Sequence, residues 1–275
     1  MKRAQTLRRQ LAALRLLGEA IDAMRSLSAH HLRRARAGLA PARAYRAGID
    51  RALASTGIMQ ALPAAHLPAT VVLGPDLGLC GGYTEALVAH VAARRRTAAG
   101  PVYCVGRRPE PSLRRAGVEV ARRYDGVSSL DGTARLLLTL ADDVVADYAG
   151  GRFATLDVVS ARFDGVGAFT TVTTSVLPVA PHDGGAPAAA TPYVRPEVLA
   201  RTAVREYLYS TLHGLLVDAL AAEHGMRLVA TQAAGEWLDG EIERLQRQVS
   251  RARQAAGTQE VLDVAAAARL RRRAS

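Results

Sequence analysis

The residues with the clearest potential for chemistry lie in one short segment, DLGLCGGY, at residues 76–83. A cysteine nucleophile needs a neighbouring base, and a phosphate-binding loop needs a GxxxxGK[ST] or GxGxxG pattern. Neither requirement is met, because both glycine patterns are absent and no histidine lies in a recognisable cysteine-protease setting. The segment therefore predicts a sharp structural turn, in which the glycines allow positive φ or close approach of the backbone and the cysteine is a small buried residue. The residues of this turn are Gly78, Cys80, Gly81 and Gly82.

The other polar groups predict neither a metal site nor a cofactor site. His30 and His31 are adjacent, and adjacent helix positions point roughly 100° apart, so the two rings do not chelate one ion together. Asp142 and Asp143 are interpreted in the same way, as part of a solvated face. Trp237, the single tryptophan, is interpreted as a packing residue.

The N-terminal region predicts a long helix that packs through a narrow apolar seam. Its apolar residues recur in alternating steps of four and three, with Gly18 in one slot, which is the spacing of a coiled coil. Pro41 is expected to kink or briefly interrupt this helix, which should end near Gly57. The seam residues are Leu7, Leu11, Leu14, Ile21, Met24, Leu27 or Ser28, Leu32 and Ala35.

The middle of the chain alternates short β-branched runs with helical patterns. This order predicts a small open, Rossmann-like α/β sheet with a β-hairpin at its edge. Thr84 is expected to cap the N-terminus of the first of these helices. The predicted strands are 69–74, 101–106, a weaker 118–124, 153–162 and 169–179, and the predicted helices are 84–96 and 130–148.

From Glu197 to about Leu270 the chain contains no proline. A continuous helix of that length would be about 110 Å long, more than a globular domain can bury, so it needs a partner helix. The N-terminal helix is the available partner. The fold prediction is therefore an α/β domain inserted into a long antiparallel coiled coil formed by the two chain ends. The domains are 1–58 (helix), 66–180 (α/β), 181–194 (flexible linker) and 195–275 (helix), and the second seam contains Ile242, Leu245, Val249, Ala252 and Ala256.

Composition leaves three explanations for the basic character of the chain. The net charge is +11, and Lys2 is the only lysine. A compositional preference for arginine, a polyanionic partner and an acidic protein surface all fit this charge. Aromatic residues make up 4% of the chain and do not alternate with the arginines, as they would in single-stranded nucleic-acid binders. No segment approaches the ~20 apolar residues of a membrane span, and two cysteines indicate a reducing compartment rather than a disulfide framework.

Polar side chains are concentrated again in RARQAAGTQE, at residues 251–260. The apolar face of this helix is mostly alanine, so the helix is thin and its polar groups must face outward. A solvated surface and a protein partner both explain them, and the density of hydrogen-bonding groups favours the partner.

Three motifs together resemble the gamma subunit of F-type ATP synthases. They are IDAM at 21–24, GLCGG within Leu77–Gly82, and ARQAAGTQE at 252–260, and their order and spacing match over nearly the whole chain. The resemblance implies a central rotor shaft that performs no chemistry itself. It also implies a ring of three alpha and three beta subunits around the coiled coil, with an epsilon subunit and a membrane ring of c subunits at the α/β foot.

The same resemblance implies where the partners bind. Met24, Arg253, Gln254, Thr258 and Glu260 match positions tied to contact with the ring and to coupling. Tyr193, Arg195 and Pro196 match a stretch near the c-ring and epsilon side. Acidic levers on the beta subunits would attract the arginine-rich shaft without nucleic acid, and membrane association would be peripheral, at the cytoplasmic face of a bacterial plasma membrane.

Several residues depart from the pattern of the family. Asp22 replaces a basic residue, Tyr83-Thr84 follow GLCGG, and Thr231 and Trp237 replace typical residues. A basic tail at 269–273 follows the usual end. These differences indicate a divergent branch, such as an alternative bacterial ATPase.

Two other functions remain open on the residues alone. A basic coiled-coil scaffold would bind nucleic acid or an anionic membrane surface with strong salt dependence. An enzyme built on the α/β domain would use Cys80 as a nucleophile and would therefore need a thiol of low pKa.

Overall fold

The computed structural model describes residues 2–56, 68–95, 100–178 and 196–274. The helices are α1 (Lys2–Thr56), α2 (Tyr83–Arg95), α3 (Pro109–Arg115), α4 (Thr133–Ala149) and α5 (Pro196–Ala274), with a short 3₁₀ turn at Leu130–Gly132 before α4. The strands are β1 (Pro68–Leu73), β2 (Val102–Val105), β3 (Arg122–Tyr124), β4 (Thr155–Gly165) and β5 (Ala168–Leu177).

The five strands form one sheet in the order β3-β2-β1-β4-β5. Strands β3, β2, β1 and β4 are parallel to one another, and β5 pairs antiparallel with β4. The α/β sheet with a hairpin edge is therefore confirmed. Because β2 and β4 lie on opposite sides of β1, the sheet is wound in both directions from its first strand, as in doubly wound folds.

Contacts divide the described chain into two compact units. The two-helix unit contains Met1–Ser26 and Thr231–Ser275, and the sheet unit contains Leu27–Ala230. The pairing of the two chain ends is thus confirmed. In the two-helix unit, Leu14 of α1 and Leu245 of α5 line one groove.

The sheet unit includes much more of the long helices than the predicted α/β domain at 66–180. One face of the sheet packs on α4 and also on Leu32 of α1 and Leu208 and Leu212 of α5. The other face packs on α2 and α3, through residues such as Leu87 and Leu113. Periodicity could not reveal this, because a repeat shows which face of a helix is buried but not what covers it.

Burial follows the predicted seam of α1. Three seam residues are buried and four are half-buried: Ile21, Leu32 and Ala35, and Leu7, Leu11, Leu14 and Met24. The sequence did not decide which residue occupies the seam between Met24 and Leu32. There the structure selects the polar residue, since Ser28 is 2% exposed and Leu27 is 52% exposed.

Two local predictions about helices are corrected. Helix α1 is continuous from Lys2 to Thr56 with Pro41 inside it, so the proline does not interrupt the helix. Ala35 and Ala42, on either side of Pro41 in the sequence, are buried. Thr84 lies inside α2 rather than capping it, because α2 begins at Tyr83 and the backbone N–H of Ala86 already donates to the Gly82 carbonyl.

Helix α3 was not expected from the sequence, and it shortens the predicted third strand to Arg122–Tyr124. Its sequence, PEPSLRR, contains two prolines. Proline is well accommodated in the first turn of a helix because its missing N–H has no intrahelical partner there. Leu113 of this short helix is fully buried under the sheet.

Candidate functional site

The GLCGG loop connects β1 to α2 at the carboxyl end of the parallel strands. Gly81 has φ +57°, which favours glycine, and Leu79 has φ +60°. A Cβ at Gly78 would lie 3.1 Å from the guanidinium of the exposed Arg108, which a small shift of that side chain could relieve, and a Cβ at Gly82 would meet nothing within 4 Å. A leucine in the left-handed region costs about 1 kcal/mol, so other contacts must hold the loop.

Arg227 of α5 holds this loop from behind. Its Nε donates to the Gly78 carbonyl at 3.0 Å, and its Nη2 lies 3.1 Å from the Leu77 carbonyl and 3.0 Å from the Cys80 sulfur. The guanidinium also pairs with Glu223 at 2.5 Å, and both side chains are buried. A planar fork of donors suits this task, because it can reach two carbonyls and a carboxylate at once.

His224 completes the polar cluster beneath the loop. Its Nε2 donates to the Ser128 carbonyl at 2.9 Å, and its Nδ1 faces Arg227 Nη1 at 3.2 Å. Burial, and secondly the Arg227 charge, lower the pKa of His224 to about 4. The ring is therefore neutral near pH 7, and its Nδ1 is free to accept from the guanidinium. The His31 ring lies 5.1 Å away, centroid to centroid.

Asp76, the acid of the segment, ties together the loops that follow three parallel strands. Its carboxylate accepts from the backbone N–H of Arg107 at 2.9 Å and from that of Gly126 at 2.8 Å. It also pairs with the Arg107 side chain at 3.1 Å. These bonds are structural and leave Asp76 no evident role as a general base.

An open cavity beside the loop is lined by three arginines, Arg107, Arg108 and Arg115. Arg107 is paired with Asp76. Arg115 donates hydrogen bonds to a backbone carbonyl and to a serine hydroxyl within its own helix, α3. Glu85 also lines the cavity. With two of its three cations already bonded, the cavity is not a preorganised phosphate site. Among the described residues, no group of three or more potential ligands could hold a metal ion.

Cys80 has the properties of a packing residue rather than a nucleophile. It is buried, and burial raises the pKa of its thiol to about 11, with Arg227 opposing the shift. At neutral pH the thiol is protonated, whereas a catalytic cysteine needs a thiolate. The burial of Cys80 and the raised pKa of its thiol therefore argue against an enzyme that uses Cys80 as a nucleophile.

The second candidate region is the last part of α5. Every residue from Arg253 to Val264 is exposed, and the predicted seam ends at Ala252, since Ala256 is also exposed. Three large apolar side chains lie there in solvent: Val261, Leu262 and Val264 are 69%, 57% and 70% exposed. Exposed apolar residues grouped in this way are typical of a binding surface.

The polar residues predicted here lie on two neighbouring stripes of the helix. Arg253, Glu260 and Val264 share one stripe, and Gln254, Thr258 and Val261 share the next, because residues spaced by three, four and seven lie above one another. The opposite side carries Gln259 and Asp263, whose side chains bond to each other at 2.8 Å.

Comparison with known proteins decides the family. A family model described as "ATP synthase" matches residues 3–269. The chain belongs to the ATP synthase gamma-chain family. It is 26% identical over 279 residues to the ATP synthase gamma chain of Pelotomaculum thermopropionicum, covering 96% of this chain and 97% of the relative. It is 27% identical to that of Chlorobaculum parvum, covering 98% of both.

Solved structures share the fold at low sequence identity. A chain from the OSCP/F1/c-ring structure of the Euglena gracilis mitochondrial ATP synthase has a TM-score of 0.67 and 12% identity, covering 96% of this chain and 92% of that chain. A chain from the central stalk and c-ring structure of the Tetrahymena thermophila enzyme has a TM-score of 0.60 and 17% identity, covering 78% and 99%.

Family membership confirms the prediction of a non-catalytic central-stalk subunit of a rotary ATP synthase. The alternative of a nucleic-acid or lipid scaffold finds no support. The complex to which this family belongs is membrane-associated, and none of the described helices is long and apolar enough to cross a membrane.

The remaining predicted contact residues lie on different helices or outside the residues that the structure describes. Met24 is half-buried on α1. Tyr193 and Arg195 lie outside the described residues, and Pro196 is the first residue of α5. Among the departures, Asp22 pairs with Arg25 at 2.9 Å. Trp237 is exposed, which corrects its interpretation as a packing residue within the chain.

Three residues that organise the GLCGG loop were not predicted from the sequence: Glu223, His224 and Arg227. One signal was present: Glu223 and Arg227 stand four residues apart within a largely apolar stretch of α5. Charges at that spacing on a buried face indicate an ion pair. The loop that Arg227 holds lies about 150 residues earlier, and no local pattern indicates that contact.

Proposed function

We propose that the exposed end of α5 is the part of this gamma subunit that a ring of three alpha and three beta subunits surrounds. In this assignment Arg253, Gln254, Thr258 and Glu260 contact the ring. We assign Met24 of α1, which is half-buried, to coupling as well, on the resemblance to the family. The subunit itself transmits rotation and leaves the chemistry of ATP to the ring.

The observation that carries the proposal is the exposure of residues 253–264. Apolar side chains of this size are rarely grouped on the surface of a protein without a partner. Polar groups capable of bidentate hydrogen bonds stand on the same half of the helix as Val261 and Val264. A partner that covered this half would bury the valines and pair the polar groups together.

The other end of the proposed assembly involves Tyr193, Arg195 and Pro196. We assign these residues to contacts with the epsilon subunit and the membrane ring of c subunits. The chain would then be a peripheral protein, held at the cytoplasmic face of a bacterial plasma membrane through the ring. This assignment rests on the resemblance of the YVRP stretch to the family.

The net charge of +11 fits a partner that presents acidic groups. Exposed charge pairs contribute little each, about 0–1 kcal/mol, and salt screens them. Such pairs attract without locking one orientation, which suits a surface that must move past its partner. This reading needs no nucleic acid.

The test compares two double variants on opposite sides of the same helix. Arg253→Ala with Gln254→Ala removes proposed contacts, and Gln259→Ala with Asp263→Ala is the matched control. Each chain is assembled with its alpha, beta and epsilon partners, and ATP hydrolysis, rotation and subunit content are measured. We expect the first variant to lower rotary ATP turnover and the control to retain it.

Two results would contradict the proposal. Normal coupled turnover in the Arg253/Gln254 variant would remove these residues from the contact surface. Failure of the wild-type chain to copurify with alpha- and beta-type subunits would remove the assembly itself.

A further inference from the structure

We propose that about two turns of α5, from Glu223 to Val229, form a stiff connection through which torsional load passes between the sheet and α5, in addition to the apolar packing of Leu208 and Leu212 on the sheet. We call these residues the hub. Within it, Arg227 is a positioning residue that fixes the GLCGG loop to the helix. This inference rests on the proposed rotor function and adds the place in the fold where the load is carried.

The first contact of the hub is with the loop that follows β1. Arg227 bonds to the carbonyls of Leu77 and Gly78 and to the Cys80 sulfur. Met226 also lies at this loop: it packs against the apolar cluster that contains Cys80, and a Cβ at Gly81 would lie 3.5 Å from its Cε. Bonds from a charged donor in a buried setting are short and directional, so they resist twisting of the loop against the helix.

The second contact is with the tip of the β4–β5 hairpin. A Cβ at Gly225 would lie 3.3 Å from the Phe163 ring and 3.5 Å from the Gly165 carbonyl, so the hairpin lies directly against the helix backbone. Val229 reaches the same tip, with its Cγ2 2.9 Å from the Cβ position of Gly167. The hairpin therefore presses on α5 at a second place.

The third contact joins the hub to the segment before α4 and to α1. His224 donates to the Ser128 carbonyl, and its ring lies 5.1 Å from the His31 ring, centroid to centroid, with the two planes tilted. On α1, the Arg36 guanidinium lies 5.8 Å from the centre of the Phe163 ring, so the hairpin is also held from that side.

These three contacts meet within seven residues, about 10 Å of helix. They connect α5 to the loop after β1, the edge hairpin and the start of α4, which belong to different parts of the sheet unit. Helix α5 continues beyond the hub without a break. Rotation applied to the sheet unit therefore reaches α5 through groups that are buried, bonded or closely packed.

The experiment measures the load path in the assembled complex of alpha, beta and gamma chains. A bead is attached to a cysteine placed at exposed Ala134 on α4, and both native cysteines are buried. ATP hydrolysis drives the complex, while torque and the angular fluctuation of the bead are recorded. Arg227→Lys keeps a positive charge beside Glu223 but lacks the fork that reaches the loop. We expect wider fluctuation and lower torque in this variant.

A disulfide across the hub provides the rescue. The Cβ position of Gly167 lies 3.8 Å from Val229 Cβ, which is within the range of a disulfide. Gly167→Cys with Val229→Cys is added to the Arg227→Lys chain and oxidised before the bead is attached by a thioether. Stiffness should return while the disulfide is closed and fall again when the same molecules are reduced.

Val229→Ala, a truncation at an exposed position, gives a second variant if Arg227→Lys does not assemble. It should also widen the fluctuation. Wild-type stiffness in an assembled Arg227→Lys or Val229→Ala complex would overturn the proposal, as would a closed disulfide that restores nothing. Failure of the wild-type chain to form a rotating complex would instead overturn the proposed function.

Discussion

Acidification below the ordinary pKa of histidine is predicted to destabilise the sheet unit through His224. This ring is 2% exposed. Its Nε2 is bonded to the Ser128 carbonyl and its Nδ1 faces the Arg227 guanidinium. A second proton on the ring would point a cation at a cation inside the protein. For that reason burial and Arg227 lower the pKa from 6.5 to about 4.

The sign of the effect follows from proton binding. Between pH 6.5 and pH 4 the unfolded chain holds a proton on this histidine and the folded chain does not. Stability from His224 is therefore fully present above pH 6.5 and is lost as pH falls toward 4. A shift of this size corresponds to roughly 3 kcal/mol at the acid end of the window. The neighbouring His31, whose pKa is lowered chiefly by burial, acts in the same direction.

The assay is urea unfolding of the full chain, followed by circular dichroism at about pH 7 and about pH 4.5. The variant is His224→Gln, whose amide can donate to Ser128 and accept from Arg227 without titrating. The control is His213→Gln, at a half-buried position earlier on α5. We expect the difference in unfolding free energy between the two pH values to shrink in His224→Gln, and much less in the control.

An unchanged pH dependence in His224→Gln would refute the reasoning. It would mean that the ring is protonated in the folded protein, and hence that it does not accept from Arg227. A larger effect of His213→Gln than of His224→Gln would contradict the assignment to the buried cluster.

Three further predictions concern single residues. Gly106→Ala should lower the free energy of unfolding by about 3 kcal/mol, because φ is +95° there and the new Cβ would lie 2.3 Å from a backbone oxygen. Gly117 has φ +75° but open space around it, so Gly117→Ala should lower the free energy of unfolding by about 1 kcal/mol. Thermal or urea unfolding compares the two, and equal losses would show that close approach does not matter at Gly106. Cys80 should react slowly with a thiol reagent in the native protein, because its thiol is buried and has a pKa of about 11. Rapid labelling of the native chain would contradict this protected thiol. Cys80→Ser should leave rotary turnover nearly unchanged. Leu238 is fully buried in the two-helix unit, so Leu238→Ala should lower the free energy of unfolding by about 2–5 kcal/mol. Val261→Ala should change the free energy of unfolding of the isolated chain by less than about 0.5 kcal/mol but should weaken copurification with the ring.

Much of the fold could be predicted from local patterns. The four-and-three spacing of Leu14, Ile21 and Leu32 marks the buried side of α1, because side chains at those intervals share one face of a helix. The short β-branched runs and their alternation with helices predicted an open α/β sheet with a hairpin edge, and the structure shows that four of its strands are parallel. The chain ends had to pair, since a helix as long as α5 cannot bury its apolar side alone.

The candidate residues at the end of α5 were also visible in the sequence. Arg253, Gln254, Thr258 and Glu260 form a polar group beside alanines, and three motifs with the right order indicated the family. What the structure adds is that the seam stops at Ala252 and that Val261 and Val264 stand in solvent beside those polar residues.

Tertiary structure alone decided how the GLCGG loop is held. The sequence shows three glycines and a cysteine in a turn, but the donor that fixes them, Arg227, is about 150 residues distant along the chain. It also decided that Ser28 rather than Leu27 faces inward, and that Leu208 and Leu212 belong to the sheet core. Periodicity records the direction a side chain takes from its own helix axis. The identity of the group it meets depends on how distant segments pack in three dimensions.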